Sequence, residues 1–230
     1  MNKYLFIPFL VLSFSVFSQT TVVYYSLRNA SLTGGRFDPA KLQFTLAFNA
    51  NHSIFTKIDN LETDNDKFSR ITSIVNKGNL IFYKNLINKI NLYNVQMVGE
   101  RTNVLLNVVD NKWIITNETK VVSDLKCFKA TTTIEKYDVA RKTIIKLEPV
   151  VWFSPEIPTT FGFQFLSGLP GLMIEGTIDG LTYFYATKIL KNVQNITIEK
   201  PIADRELKEE IFDLKMATMY QELKSKERTY

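Results

Sequence analysis

Glu156 and Glu175 are the side chains of this chain whose chemistry most invites a reaction. Glu156 stands between Pro155 and Pro158 in a stiff extended segment, and Glu175 follows the glycine-rich string Gly168-Leu169-Pro170-Gly171-Leu172. Two carboxylates in one cleft can divide acid and base work, which would make the chain a hydrolase using Glu156 and Glu175, with His52 as a third group. The rest of the inventory points the other way. A single histidine supplies neither a zinc-binding pair nor a three-histidine site, and a Ser-His-Asp triad would have to rest on that one ring. His52 follows Asn49-Ala50-Asn51, which predicts an exposed turn histidine. Cys127 lies in an alternating run and reads as a small buried strand residue, with no second cysteine or base beside it. The residues therefore assign no catalytic group, metal ligand or cofactor, and the hydrolase stands as the alternative to a binding protein.

A binding role has its own candidates. Trp152, Phe153, Phe161, Phe163 and Phe165 form the densest aromatic cluster of the chain, and with Glu175 they are the expected lining of an apolar groove. Phe161, Phe163 and Phe165 alternate, so an extended segment would show all three on one side. Phe163 is expected at the rim. The string Gly168 to Leu172 reads as a structural corner: Pro170 suits a fixed φ, and Gly171 suits the positive φ of a type II turn. A phosphate cradle would need a helix directly after the glycines, and a strand follows here.

These candidates need a frame to hold them. Leu42, Phe44, Leu46 and Phe48 alternate with Lys41, Gln43, Thr45 and Ala47, the period of a half-buried strand. Comparable runs span Thr21 to Leu27, Ile54 to Ile58, Leu80 to Lys84, Ile90 to Val98, Val104 to Val109, Lys126 to Ile134 and Lys142 to Leu147, separated by turn pairs such as Gly78-Asn79 and Asp110-Asn111. Asp179-Gly180 predicts a two-residue hairpin pairing Gly171 to Ile178 with Leu181 to Lys188, in a register that sets Gly176 against Tyr183. Leu172, Ile174, Ile178, Leu181, Tyr183 and Tyr185 would then share the core face. At the C-terminus, Leu207, Ile211, Leu214 and Thr218 recur at helical spacing after an Asp204 cap, which predicts a helix over about 204–224. The fold class is mainly β: a curved antiparallel sheet, half-open and barrel-like, with a C-terminal α-helix.

Compartment and partners follow from the N-terminus and the charge. Met1-Asn2-Lys3, the apolar run Tyr4 to Phe17 and the small residue Ser18 have the layout of a secretory signal peptide over residues 1–18, so the mature protein is expected to be periplasmic or secreted. The run is too short to span a bilayer, which excludes an integral membrane protein by that route. Residues 19–230 carry no Gly/Ser or Pro-rich linker and read as a single domain. A net charge of +5, with lysines scattered among carboxylates, gives no basic stripe for nucleic acid.

Several linked motifs resemble one family. Trp113-Ile114-Ile115 with Thr119-Lys120, then Lys126-Cys127 with Lys129-Ala130-Thr131, then Trp152 to Pro158, Gly162 and finally Gly168 to Met173 occur in the order and approximate spacing of the GLPGLI family, exported proteins of Gram-negative bacteria. The chain departs from the pattern at Phe163, where the family has proline, at Leu125, where an aromatic is common, and at Met173, where it has isoleucine. The resemblance implies an envelope role without an established reaction, and a TonB-dependent outer-membrane receptor as a partner beside an apolar or peptide ligand.

Overall fold

The alternating segments do become strands, and their register decides which residues meet. A computed structural model describes residues 19–29, 43–57, 80–97, 99–107, 111–193, 196 and 198–227. The expected signal peptide, the predicted strand ends at Leu42, Ile58, Val98 and Val109, the turn at Gly78-Asn79 and Asp110 of the second turn pair lie outside those residues. The strands are β1 (Thr20–Asn29), β2 (Gln43–Phe48), β3 (His52–Lys57), β4 (Ile81–Asn85), β5 (Ile90–Met97), β6 (Glu100–Leu105), β7 (Ile114–Val122), β8 (Leu125–Thr131), β9 (Ile134–Asp138), β10 (Thr143–Leu147), β11 (Val150–Ser154), β12 (Leu172–Thr177), β13 (Thr182–Val193) and β14 (Arg205–Lys208), followed by α1 (Glu209–Glu227).

Twelve strands make one curved, unclosed sheet in the order β14-β6-β5-β4-β3-β2-β1-β13-β12-β11-β8-β7, while β9 and β10 pair separately. Pairing is antiparallel except between β14 and β6. The mainly β, half-open architecture with one C-terminal helix is therefore as expected. The run expected from Lys126 to Ile134 is instead divided into β8 and β9, and β7 and β11 arise in stretches whose alternation is broken by polar residues or shortened by flanking prolines.

One face of the sheet carries the core. Val23, Tyr25 and Leu27 of β1, Leu46 of β2, Phe55 of β3 and Phe184 of β13 are all under 10% exposed and lie in register across it. Phe44 stacks on Phe55 at 5.5 Å and meets Phe184 edge-on at 5.4 Å. The loop between β11 and β12, residues 155–171, packs onto this face and buries Ile157, Phe161, Phe163, Leu166 and Leu169. The outer face is covered at β5 and β6. There the buried Asn94 Nδ2 donates to Asn103 Oδ1 (2.8 Å) and to the Ile202 carbonyl (3.4 Å), and Asn103 Nδ2 donates to the Pro201 carbonyl (3.0 Å). Two cross-strand amides thus hold the segment that carries the chain back to β14.

Two expected elements are corrected. The β12–β13 pairing sets Glu175 against Tyr185, Gly176 against Phe184 and Thr177 against Tyr183, one residue away from the register of a two-residue turn. The cause is Asp179, whose Oδ1 accepts from the Leu181 and Thr182 amides (2.9 and 2.8 Å) and the Thr177 hydroxyl (3.2 Å), building a longer loop from Ile178 to Leu181. Because side chains alternate with period two, that slip moves Phe184 to the core face and Tyr183 and Tyr185 to the outer one. The helix begins at Glu209, not near Asp204: residues Arg205 to Lys208, including Leu207, extend along β6, and Asp204 exchanges hydrogen bonds with Arg101 there. Its expected inner stripe faces outward, with Ile211 47% and Leu214 58% exposed. Phe212 turns in instead, edge-on to Tyr93 at 5.8 Å, and Lys136 of β9 ion-pairs with Glu209 (2.6 Å) and Asp213 (3.0 Å).

Candidate functional site

The glycine-rich string and the aromatic cluster belong to one structural knot. Trp113 Nε1 and Asn111 Nδ2 both donate to the Ser167 carbonyl (2.8 and 3.2 Å), and the Gly168 amide donates to Thr160 (2.8 Å). Glu156 Oε1 accepts from the Lys126 amide at 2.8 Å, and the Leu172 amide donates to Ile157 at 3.0 Å. The segments quoted as separate motifs in the sequence thus meet around residues 155–172. Gly168, with φ of +96°, is the residue of the string in the left-handed region. Gly171 is not, contrary to the type II turn expected there. It is required for a different reason: an added Cβ would collide with the Ser154 carbonyl and stand 2.7 Å from Pro155 Cα.

Of the six residues expected to line a groove, three are in the interior. Phe153, Phe161 and Phe163 are 3%, 2% and 0% exposed, so Phe163 is not on a rim. Its ring stacks on Phe184 at 4.9 Å, meets Tyr25 edge-on at 5.9 Å and lies against Gly176. The alternation of Phe161, Phe163 and Phe165 is not strand alternation. A turn closed by the Leu166 amide on the Phe163 carbonyl (3.2 Å), with Gln164 at φ of 52°, folds two rings inward and leaves Phe165 half-buried.

Trp152 and Glu175 remain together on the outer face. Trp152 stands opposite Glu175 on one side and Lys129 on the other, and Glu175 stands opposite Tyr185. Lys120 joins them, its Nζ 2.7 Å from Glu175 Oε2 and 4.4 Å from the centre of the Trp152 ring. Both charged side chains are about one-third exposed, so the pair is worth little stability in water. Cys127, opposite Lys120, is fully buried, as expected for a small strand residue. Burial raises its thiol pKa, against the pull of the nearby Lys120 ammonium.

Of the proposed acid–base set, Glu156 and Glu175 both act electrostatically on the Cys127 thiol and so share its neighbourhood, while His52 lies on another strand. Glu156 holds a backbone amide and Glu175 holds an ammonium. His52 is half-buried at the start of β3, not exposed in a turn, with its amide on Asn49 Oδ1 at 2.9 Å. Three strands, β2, β1 and β13, stand between the strand of His52 and that of Glu175. Among the described residues no group of three or more His, Cys, Asp or Glu could hold a metal ion.

Two features were not anticipated from the sequence. Lys84 is 5% exposed on the core face of β4 and donates from Nζ to the Phe165 and Leu166 carbonyls, both at 2.9 Å. The available signal was period two, which puts Lys84 on the same side as Phe82. The other is β7, which ends the sheet and exposes Ile114 (67%), Ile115 (49%) and Val121 (71%). Among the described residues no helix is long and apolar enough to cross a membrane.

A scan of protein-family models and a search of curated proteins each find no match to this chain. Among solved structures, two crystal forms of PNGF-II, in space groups C2 and P21, superpose with a TM-score of 0.58 at 14% identity, covering 87% and 85% of this chain. LprF from Mycobacterium bovis matches at 12% identity with a TM-score of 0.30, over 81% of this chain and 90% of its own. The chain spans about a third of the length of the PNGF-II chains, 33% and 32%, and at that identity the likeness is one of fold.

Proposed function

We propose that this chain is an exported envelope protein of the GLPGLI type that acts by binding, and that it takes an extended peptide segment of a partner along β7. The observation that carries this reading is the edge itself: among the described residues no strand pairs with the outer side of β7, whose nine residues end the sheet with apolar side chains exposed toward both faces. An unpaired edge offers a row of backbone donors and acceptors to a further strand, and side chains at alternate positions give selectivity. An apolar ligand seated on the core face beside the aromatic loop is disfavoured, because Phe161, Phe163, Leu166 and Leu169 already fill that space. The TonB-dependent receptor implied by the family resemblance is the expected source of the segment. The engagement of Glu156 and Glu175 by separate partners supports binding over hydrolysis.

A photoreactive residue placed at Val121 in exporting cells should give a discrete adduct, and the same residue at Leu181, which is 53% exposed in the β12–β13 loop, should not. No adduct at Val121, or the same adduct at both positions, would remove the edge from consideration. The compartment is checked separately by intact mass. Export should remove residues 1–18 and leave Gln19, an exposed residue immediately before β1, at the N-terminus. A mature protein that retains Met1 would end the exported reading.

A further inference from the structure

A lysine inside a core is expensive to keep charged, and among the described residues no carboxylate pairs with Lys84 to offset the cost. The residues opposite it on the core face are Ser53 of β3 and Asn91 of β5, with Phe48 of β2 beyond Ser53. The loop presents two backbone carbonyls. Tyr93, two residues along β5 from Asn91, has its hydroxyl held neutral by burial and by Asp213 and Glu209, and burial does the same for Tyr25 of β1. His52, next to Ser53, points to the opposite face.

A neutral amine has two N–H donors and an ammonium has three. Two donors meet all that the loop asks of Lys84. Among the described residues no hydrogen bond is in place for the third proton of an ammonium: Asn91 Oδ1, the buried acceptor across the ladder, accepts none from Lys84 or from any other group. We propose that Lys84 and the Phe163–Leu166 turn form a proton-coupled latch, in which the neutral amine closes the aromatic loop onto the sheet and uptake of one proton accompanies its opening.

Burial pushes the Lys84 pKa from 10.5 down to about 7 while the loop is closed. Opening admits water and restores the ordinary value. The open form therefore binds the extra proton between about pH 7 and 10.5, and each unit of acidification in that window favours opening about tenfold. Below pH 7 both forms are charged and the dependence flattens. The latch thus loosens as pH falls toward neutrality and tightens progressively up to about pH 10.5.

Native-state hydrogen exchange tests this at the Leu166 and Gly168 amides, which are bonded within the loop, with Val23 of β1 as the reference for global unfolding. After correction for the intrinsic exchange rate, the loop amides should open more readily than Val23. Their opening constant should fall roughly a hundredfold over two pH units above 7. In Lys84→Met that slope should vanish. A flat profile in the native protein, an unchanged slope in Lys84→Met, or loop amides that open only with Val23 would each overturn the latch. Should Lys84→Met not fold, the carbon resonance of Lys84 Cε in the native protein decides: a titration midpoint near 7 supports the latch, and one near 10.5 refutes it.

Discussion

Replacing Phe163 by alanine should lower the unfolding free energy by about 3 to 5 kcal/mol, as truncation of a packed aromatic does. The ring is fully buried, stacked on Phe184, edge-on to Tyr25 and laid over the bare backbone of Gly176, where an added Cβ would stand 3.1 Å from its tip. Its removal leaves a cavity bounded by strands β1, β12 and β13, which are tied to one another by backbone ladders and have little freedom to collapse. Phe165→Ala, two residues away and half-buried, should cost clearly less. Urea unfolding of the two variants with an unchanged m-value is the measurement. Equal small losses would mean that the loop does not pack as described, and would reopen the groove.

Gly171→Val should be as damaging by the opposite route, overfilling instead of emptying. The added Cβ falls into the Ser154 carbonyl and against Pro155 Cα, and these are backbone atoms held by the β11–β12 ladder and by the Leu172 amide bond to Ile157. No rotamer relieves the clash, so a loss of about 3 kcal/mol or more is expected. Gly168→Ala is the informative contrast. That residue needs a positive φ, but its Cβ would meet only Trp113 at an ordinary 3.8 Å, so the cost should be limited to about 1 to 2 kcal/mol of backbone strain. A larger loss at Gly168 than at Gly171 would return the string to a conventional positive-φ turn. Loss of partner capture at β7 without loss of stability in either variant would make the corner a site.

The sequence carried most of the architecture because strand alternation is a local property. Thr21 to Leu27, Leu80 to Lys84 and Ile90 onward were legible from period two alone, and they sit in β1, β4 and β5. Cys127 was legible for the same reason: an alternating run gave its environment before any partner was known. The linked motifs from Trp113 to Met173 were visible as a string. What joins them, the Trp113 and Asn111 bonds to Ser167 and the Glu156 bond to Lys126, spans 30 to 56 residues and leaves no mark on local pattern.

Register was settled elsewhere. Asp179-Gly180 was a correct turn signal, yet the acceptor capacity of one carboxylate lengthened the loop and exchanged the faces of Phe184, Tyr183 and Tyr185. The helix shows the same dependence. Its apolar stripe at Ile211 and Leu214 was real in the sequence, but β14 fixes the direction and phase in which the chain enters α1, and Phe212 against Tyr93 then chose the buried side. By itself the sequence determined many of the strands, a corner at Gly168 to Leu172 and the absence of a histidine or cysteine pair. The tertiary structure alone decided that the aromatic loop is core, that Lys84 is hydrogen-bonded to it and that β7 ends the sheet among the described residues, since each of these depends on which distant segment comes to cover a given face, and burial by a distant segment is a property no local spacing encodes.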